Sequence, residues 1–365
     1  MVRYGFIGAG MMGQEHLRNL ALLDGVTVTG IADPDAAMRA ASLATQGGTA
    51  RVFADYRDLI AADICDAYVI CSPNDAHHAA LLDVLPANKP VLCEKPMCTT
   101  VADCRDIVSR QAGRSAPLWV AMEYRYMPPM QRLLAEVEAG TAGRPVMMAI
   151  REHRFPFLVK VGDWNRFATR TGGTLVEKCC HFWDLMRLVL KSDPVRVYAS
   201  GAMDVNHRDE RYGGKVPDII DNAFVVVDFE SGARGMLDLC MFAEGSRWQE
   251  VVSVTGPKAR IDACVPGPAR FAPDGRERRS RIVVSDRASK METVEEIDVD
   301  ETILGAGDHH GSTFYQHQRF LDLVRTGHGR PEVTAQDGLW SVLVGAAAEQ
   351  SVRTGQAIEL ESFQS

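Results

Sequence analysis

A lysine and a histidine in this chain stand where each could manage a proton or a developing charge. Lys95 closes the apolar run Pro90–Cys93 within the tripeptide Glu94-Lys95-Pro96. An ammonium just past a buried strand, its turn held by a proline, would point over whatever binds beyond the strand end. A solvated surface lysine would give the same pattern. His181 lies in Gly172-Gly173-Thr174-Leu175-Val176-Glu177-Lys178-Cys179-Cys180-His181-Phe182-Trp183-Asp184. If this is one helix, Glu177, His181 and Asp184, spaced by four and three, share a face. Carboxylates beside an imidazole fix its tautomer and raise its basicity, which suits a proton acceptor. The competing reading is a core helix with one satisfied histidine. Zinc on Cys179, Cys180 and His181 is disfavoured, because adjacent helical residues point apart and a tetrahedral site needs convergent ligands; no metal is expected.

The stretch that must position these residues comes first in the chain. The apolar run Tyr4–Ile7 leads into Gly8-Ala9-Gly10-Met11-Met12-Gly13, then into helical periodicity over Gln14–Leu23. After Asp24-Gly25, a second β-rich run, Val26–Ala32, ends on Asp33. Strand, glycine turn, helix, strand and acid are the parts of a dinucleotide site. Gly8 permits the tight turn, Gly10 lets backbone approach a pyrophosphate, and Gly13 lets helix and strand pack closely. The pyrophosphate would sit at the helix N-terminus, where unpaired N–H groups favour negative charge. Asp33, 20 residues after Gly13, would accept from both ribose hydroxyls. Its charge would also repel a 2′-phosphate, so NAD is expected rather than NADP.

Alternation of short apolar strands and helices continues to about Glu123, predicting a doubly wound parallel sheet over residues 1–123. Beyond it, Pro145–His153, Val195–Ala202, Asn222–Phe229, Ala233–Cys240, Glu250–Val254 and Ala259–Ala263 read as strands of a mostly antiparallel sheet. Gly172–Leu190 reads as one long helix, and Gly311–Thr326 and Ala335–Arg353 as two more. The class is therefore α/β followed, over residues 124–365, by an α+β domain with a large open sheet.

Composition narrows the function. The 365 residues are 46% hydrophobic with a formal net charge of −8, enough for two cores and unlike a nucleic-acid-binding surface. No apolar run approaches the roughly 18–20 residues of a membrane helix. Met1-Val2-Arg3-Tyr4 enters a strand at once, which leaves no room for a signal peptide. The nine cysteines, without C-x-x-C pairs, fit reduced thiols. A cytoplasmic location is expected.

Together these motifs resemble the Gfo/Idh/MocA oxidoreductases. The resemblance rests on the glycine loop with His16, on Ser72-Pro73-Asn74-Asp75-Ala76-His77, on Glu94-Lys95-Pro96, on Tyr124-Arg125-Tyr126, and on Gly172-Gly173 through His181 and Asp184. It implies a Rossmann domain joined to an open-sheet domain whose sheet face packs subunits into homodimers or homotetramers. It also implies cofactor contacts from Gly8, Gly10, Met11, Met12, Gly13, Asp33, Ser72, Pro73, Asn74, His77, Glu94 and Lys95. Lys95 would reach the nicotinamide and the reacting hydroxyl across a Lys95–Pro96 bond that is cis, His181 would transfer the proton, and Glu177 would assist where most members carry Asp. The substrate would be a sugar, cyclitol or glycoside, its hydroxyls met by a polar rim drawn from Arg125, Arg151, His153, Trp164, Arg166, Asp184, His309 and His310. Two other roles share this scaffold: redox-assisted elimination or glycoside cleavage with retained NAD, and a non-catalytic cofactor sensor.

Overall fold

The computed structural model describes residues 1–363 other than Glu277 and His328. Strands β1 (Val2–Ile7), β2 (Val26–Ala32), β3 (Arg51–Phe53), β4 (Ala67–Ile70), β5 (Val91–Cys93) and β6 (Leu118–Val120) form a parallel sheet in the order β3-β2-β1-β4-β5-β6. Helices α1 (Met11–Leu20), α2 (Ala36–Thr45), α3 (Tyr56–Ala61), α4 (His77–Val84) and α5 (Val101–Gln111) connect them. Local chemistry sets the helix starts: the Asp35 side chain accepts from Ala37 and Met38 N–H, and Thr100 from Asp103 N–H. Such caps satisfy donors that the first turn leaves open. Strands β4 and β5 are buried along their whole length, as a sheet covered on both faces requires.

The second half carries α6 (Pro128–Glu138), β7 (Met147–His153), α7 (Ala168–Thr171), α8 (Thr174–Glu177), α9 (Cys180–Leu190), β8 (Pro194–Ala202), β9 (Asn222–Phe229) and β10 (Arg234–Cys240). It continues with β11 (Glu250–Thr255), β12 (Ala259–Val265), β13 (Ser280–Asp286), β14 (Glu292–Ile297), α10 (Glu301–Gly305), α11 (Ser312–Thr326), α12 (Ala335–Thr354) and β15 (Ile358–Glu359). Nine strands make one open sheet, β14-β13-β12-β11-β7-β10-β9-β8-β15. Its pairs are antiparallel except β7 with β10. One face packs on α9 and α12. On the other, Tyr198, Val226 and Met236 stand side by side across β8, β9 and β10, 40–47% exposed.

Three features depart from the sequence reading. The long helix expected over Gly172–Leu190 is broken at Lys178–Cys179 into α8 and α9. Strands β13 and β14 were not anticipated, because β14 (Glu-Thr-Val-Glu-Glu-Ile) is nearly all polar and sits on an exposed edge. Nor was α6, which opens on Pro128 and Pro129 at its first turn. The cores also divide differently from the chain. Phe320 and Leu321 of α11 and Leu339 and Val342 of α12 belong to the parallel-sheet core, while Leu343, Val344, Ala347 and Ala348 of α12 belong to the open-sheet core. All nine cysteines are free, and eight are buried. No helix among the described residues is long and apolar enough to cross a membrane.

Phe320, fully buried and in edge contact with Tyr4 and Trp119, ties the C-terminal region to the first strand. Phe320→Ala should lower unfolding free energy by about 3–5 kcal/mol, measured by chemical denaturation. A loss below roughly 1 kcal/mol would show that α11 is peripheral to the core.

Candidate active site

The glycine turn has the shape of a phosphate cradle. Gly8 has φ +95°, and a Cβ there would lie 2.5 Å from Ser72 N, so only glycine lets β1 and β4 end this close together. A Cβ on Gly10 would meet nothing within 4 Å. That open space lies at the N-terminus of α1, which no side chain caps. Unpaired N–H groups facing open space are what a dinucleotide pyrophosphate needs. Asp33 Oδ2 accepts from Ala9 N at 2.8 Å and Oδ1 from Asp35 N at 2.8 Å, holding the carboxylate at the rim of that cradle. Met11 and Met12 form its first turn. Ser72 Oγ and Asn74 Nδ2, just past the end of β4, are buried without hydrogen-bond partners among the described residues, and Pro73 fixes the turn between them. The residues present therefore fit a bound dinucleotide. His77 and Glu94 do other work. The His77 ring spans the Ser72 and Pro96 carbonyls at 2.9 and 2.8 Å. Glu94 accepts from Lys95 N at 3.0 Å and contacts His16 Nε2 at 2.8 Å. Both pin the turns that carry Lys95.

Lys95 is followed by a cis bond to Pro96. Its Nζ donates to the Glu177 carbonyl at 3.2 Å, and Cys180 Sγ donates to the same oxygen at 3.3 Å. The helix break makes this possible, since a carbonyl at the end of α8 needs a partner from outside. Burial opposes the Lys95 charge, but the surrounding acids, Glu94, Glu177 and Glu123, favour it, and the ammonium is held above its ordinary value. His181 opens α9, 1% exposed, its ring stacked on Tyr124 at 4.1 Å and 9°. Its Nδ1 is buried and has no hydrogen-bond partner among the described residues.

The carboxylate-flanked histidine does not form. Asp184 is held by Arg125 in a bidentate pair, both contacts 2.5 Å, buried on either side. Glu177 Oε1 turns to Lys160 at 3.3 Å, and its Oε2 is buried without a partner. Burial first, then Lys95, Lys178, His309 and Arg154, push His181 well below its ordinary value. Burial first and the neighbouring cations second thus favour the neutral imidazole, instead of acids making it more basic.

Other rim residues divide. Arg151 and His153 lie on the outward face of β7, opposite to buried Glu152, with His153 Nε2 3.0 Å from Asp238 Oδ1; strand alternation takes them away from His181. Arg166 is occupied by Glu210 at 2.8 Å. Trp164 packs under Lys160, whose Nζ lies 4.4 Å from its ring. His310 lines a separate cavity of about 370 Å³ with Arg18 and Arg270. Its neighbour His309 turns inward, 2.7 Å from Glu15 and 3.7 Å from Glu123. Burial opposes the His309 charge, yet Glu123 and Glu15 raise it to about 9. Sequence reasoning missed Lys160, Lys178, Arg154, Glu15 and Glu123. Lys178 lies three residues before His181, but its side chain turns back to Glu152 and Tyr124; the other four stand in no recognisable spacing with His181 and are placed by the fold. Among the described residues no group of His, Cys, Asp or Glu could hold a metal.

Asp33→Ser should reduce the kcat/KM preference for NAD over NADP by about tenfold or more, each factor of ten being roughly 1.4 kcal/mol. A wild-type protein that used NADP better than NAD would refute the role given to this carboxylate.

Comparison with known proteins agrees with this geometry. Residues 2–122 match the Gfo/Idh/MocA model described as an oxidoreductase family with an NAD-binding Rossmann fold, and residues 135–360 match its C-terminal alpha/beta domain. The chain is 28% identical to the myo-inositol 2-dehydrogenase of Thermotoga maritima over 366 residues, covering 99% of each. A solved probable dehydrogenase from Thermotoga maritima superposes with a TM-score of 0.78 at 25% identity, over 99% of both chains. A levoglucosan dehydrogenase solved with NADH and L-sorbose reaches a TM-score of 0.82 over 100% of both chains; at 17% identity it speaks to the fold alone. The chain thus belongs to the Gfo/Idh/MocA oxidoreductase family, an NAD-binding Rossmann domain followed by the family's C-terminal α/β domain.

Proposed function

We propose that the protein oxidises one secondary alcohol of a polyhydroxylated substrate, a sugar, cyclitol or glycoside, with NAD as hydride acceptor. The observation that carries this reading is the meeting of Lys95 with the His181 segment at the Glu177 carbonyl, beside the dinucleotide cradle. The inositol dehydrogenase named among its relatives supports a cyclitol. Bound NAD supplies the electron sink. His181, neutral and buried, takes the hydroxyl proton, and the Lys95 ammonium stabilises the developing alkoxide. Glu177 Oε2, buried and without a partner, can accept from a neighbouring hydroxyl while Lys160 donates beside it. The region after Glu123 contributes this substrate side of the cleft.

His181→Ala should lower kcat by about 10²–10⁴-fold with NAD affinity nearly unchanged. Lys95→Ala should be comparably severe, and the losses should not add, since both act on one transferring proton. The pH dependence follows from the shifts above. His181 accepts a proton only when neutral, so kcat/KM for oxidation is present above its pKa and falls as pH drops through it. With that pKa held well below 6.5, the rise lies on the acid side and the profile is flat through neutrality. The upper limit belongs to Lys95, above its ordinary 10.5. NADH absorbance against inositols, hexoses, uronates and glycosides tests all of this. Full activity of folded His181→Ala on the best of these substrates would sink the mechanism.

The exposed apolar row Tyr198, Val226 and Met236 supports association through the outer face of the open sheet, as a dimer or tetramer. Sedimentation should give a multiple of 40.1 kDa, and Val226→Glu should reduce it. A monomer at micromolar concentration would exclude this interface.

A further inference from the structure

Taking His181 as the base leaves one buried cluster of charges without a task. The ring of Tyr124 lies flat against the imidazole, 4.1 Å away. The Tyr124 hydroxyl accepts from Lys178 Nζ at 2.5 Å. The same Nζ is 2.9 Å from Glu152 Oε1, a close ion pair rather than an aligned hydrogen bond. Arg154 approaches that oxygen at 3.5 Å. Glu250 stands directly opposite Glu152 in the β7–β11 register. Tyr124, Glu152, Lys178 and Glu250 are 0–4% exposed.

Stability alone does not account for such a group. Buried ion pairs repay their desolvation poorly, and apolar residues of similar volume would serve the core as well. What the cluster does provide is a fixed point. Lys178 sits at the α8–α9 break, so its side chain turns back to the sheet, where Glu152 holds it. Its second contact immobilises the far end of the Tyr124 ring. The imidazole needs such a support. Its Nδ1 has no hydrogen-bond partner among the described residues, so the carboxylate or carbonyl that usually orients a catalytic histidine is missing here. The flat contact with Tyr124 is what sets the plane of the ring.

We propose that Lys178, anchored on Glu152, is a positioning residue: it clamps Tyr124, and Tyr124 holds His181 at the angle from which it takes the substrate proton. This inference rests on His181 being the base. It assigns no contact with substrate to either Lys178 or Tyr124.

Removing Lys178 alone would strand the Glu152 carboxylate and endanger the fold. The test therefore uses Tyr124→Phe, which keeps the ring and loses the tether, and the charge-balanced double variant Lys178→Met with Glu152→Gln. Each is assayed with NAD and the fastest substrate of the panel above, beside His181→Ala. Both should lose about 10–100-fold in kcat, the scale of a misplaced reacting group, with KM and the NAD dissociation constant within about twofold. In the cofactor-free protein, labelled-histidine NMR should show the His181 ring protons shifted upfield by the tyrosine, and Tyr124→Leu should remove that shift. A purely structural role would lower melting temperature and leave kcat intact. Wild-type kcat in either folded variant, with His181→Ala inactive, overturns the proposal and leaves the mechanism standing. An active His181→Ala removes the mechanism itself.

Discussion

The placement of Lys95 against the second domain depends on one carbonyl being out of its helix. In an unbroken helix the Glu177 oxygen would be taken by the backbone four residues on. The break at Lys178–Cys179 hands it to Lys95 at 3.2 Å, and a bond between residues 82 apart in sequence then crosses between the two domains. Lysine is a flexible side chain with a strongly hydrated charge. Fixing it requires an acceptor that cannot move, and the end of a buried helix supplies one. The two glycines before α8, at φ +84° and +95°, place that short turn where a longer helix could not reach.

The second theme is a histidine kept neutral by its surroundings. Lys95, Lys178, Arg154 and His309 all oppose a positive charge on His181, and no carboxylate contacts it. The acids near the cleft are otherwise engaged. Glu94 meets His16, whose other ring nitrogen is 2.7 Å from His317. Glu15, which burial would raise, is brought to about 2 by His309, His16 and Thr313. For the base proposed above, such a field favours the neutral imidazole, the form that can take up a proton.

Much of this was legible in the residues. The glycine turn and Asp33 declare themselves because a phosphate cradle needs backbone freedom at fixed spacings. The Glu94-Lys95-Pro96 turn is legible only in company with the glycine turn and the histidine segment, because a lysine at a strand end is by itself equally well a solvated one. The pairing of Glu177 and Asp184 with His181 was misread for two reasons: the helix breaks between Glu177 and His181, and Asp184, although in the same helix as His181, is taken by Arg125 from a distant segment. The side chain at the break, Lys178, meets Glu152 and Tyr124, both distant in sequence. Arg151 and His153 were misplaced for a related reason: a strand pattern gives alternation, but which face looks at the site is decided by the packing of α9 and α12. His309 and His310 are adjacent, and the turn at His310, with φ 51°, leaves one facing Glu15 and the other lining the cavity beside Arg18.

Helix α12 has a mechanical consequence. Its first half is set in the parallel-sheet core and its second half in the open-sheet core, with a 20-residue rod joining them. Swinging the two domains apart would bend that rod or draw one end of it out of its core, so α12 is a brace that resists opening of the cleft between them.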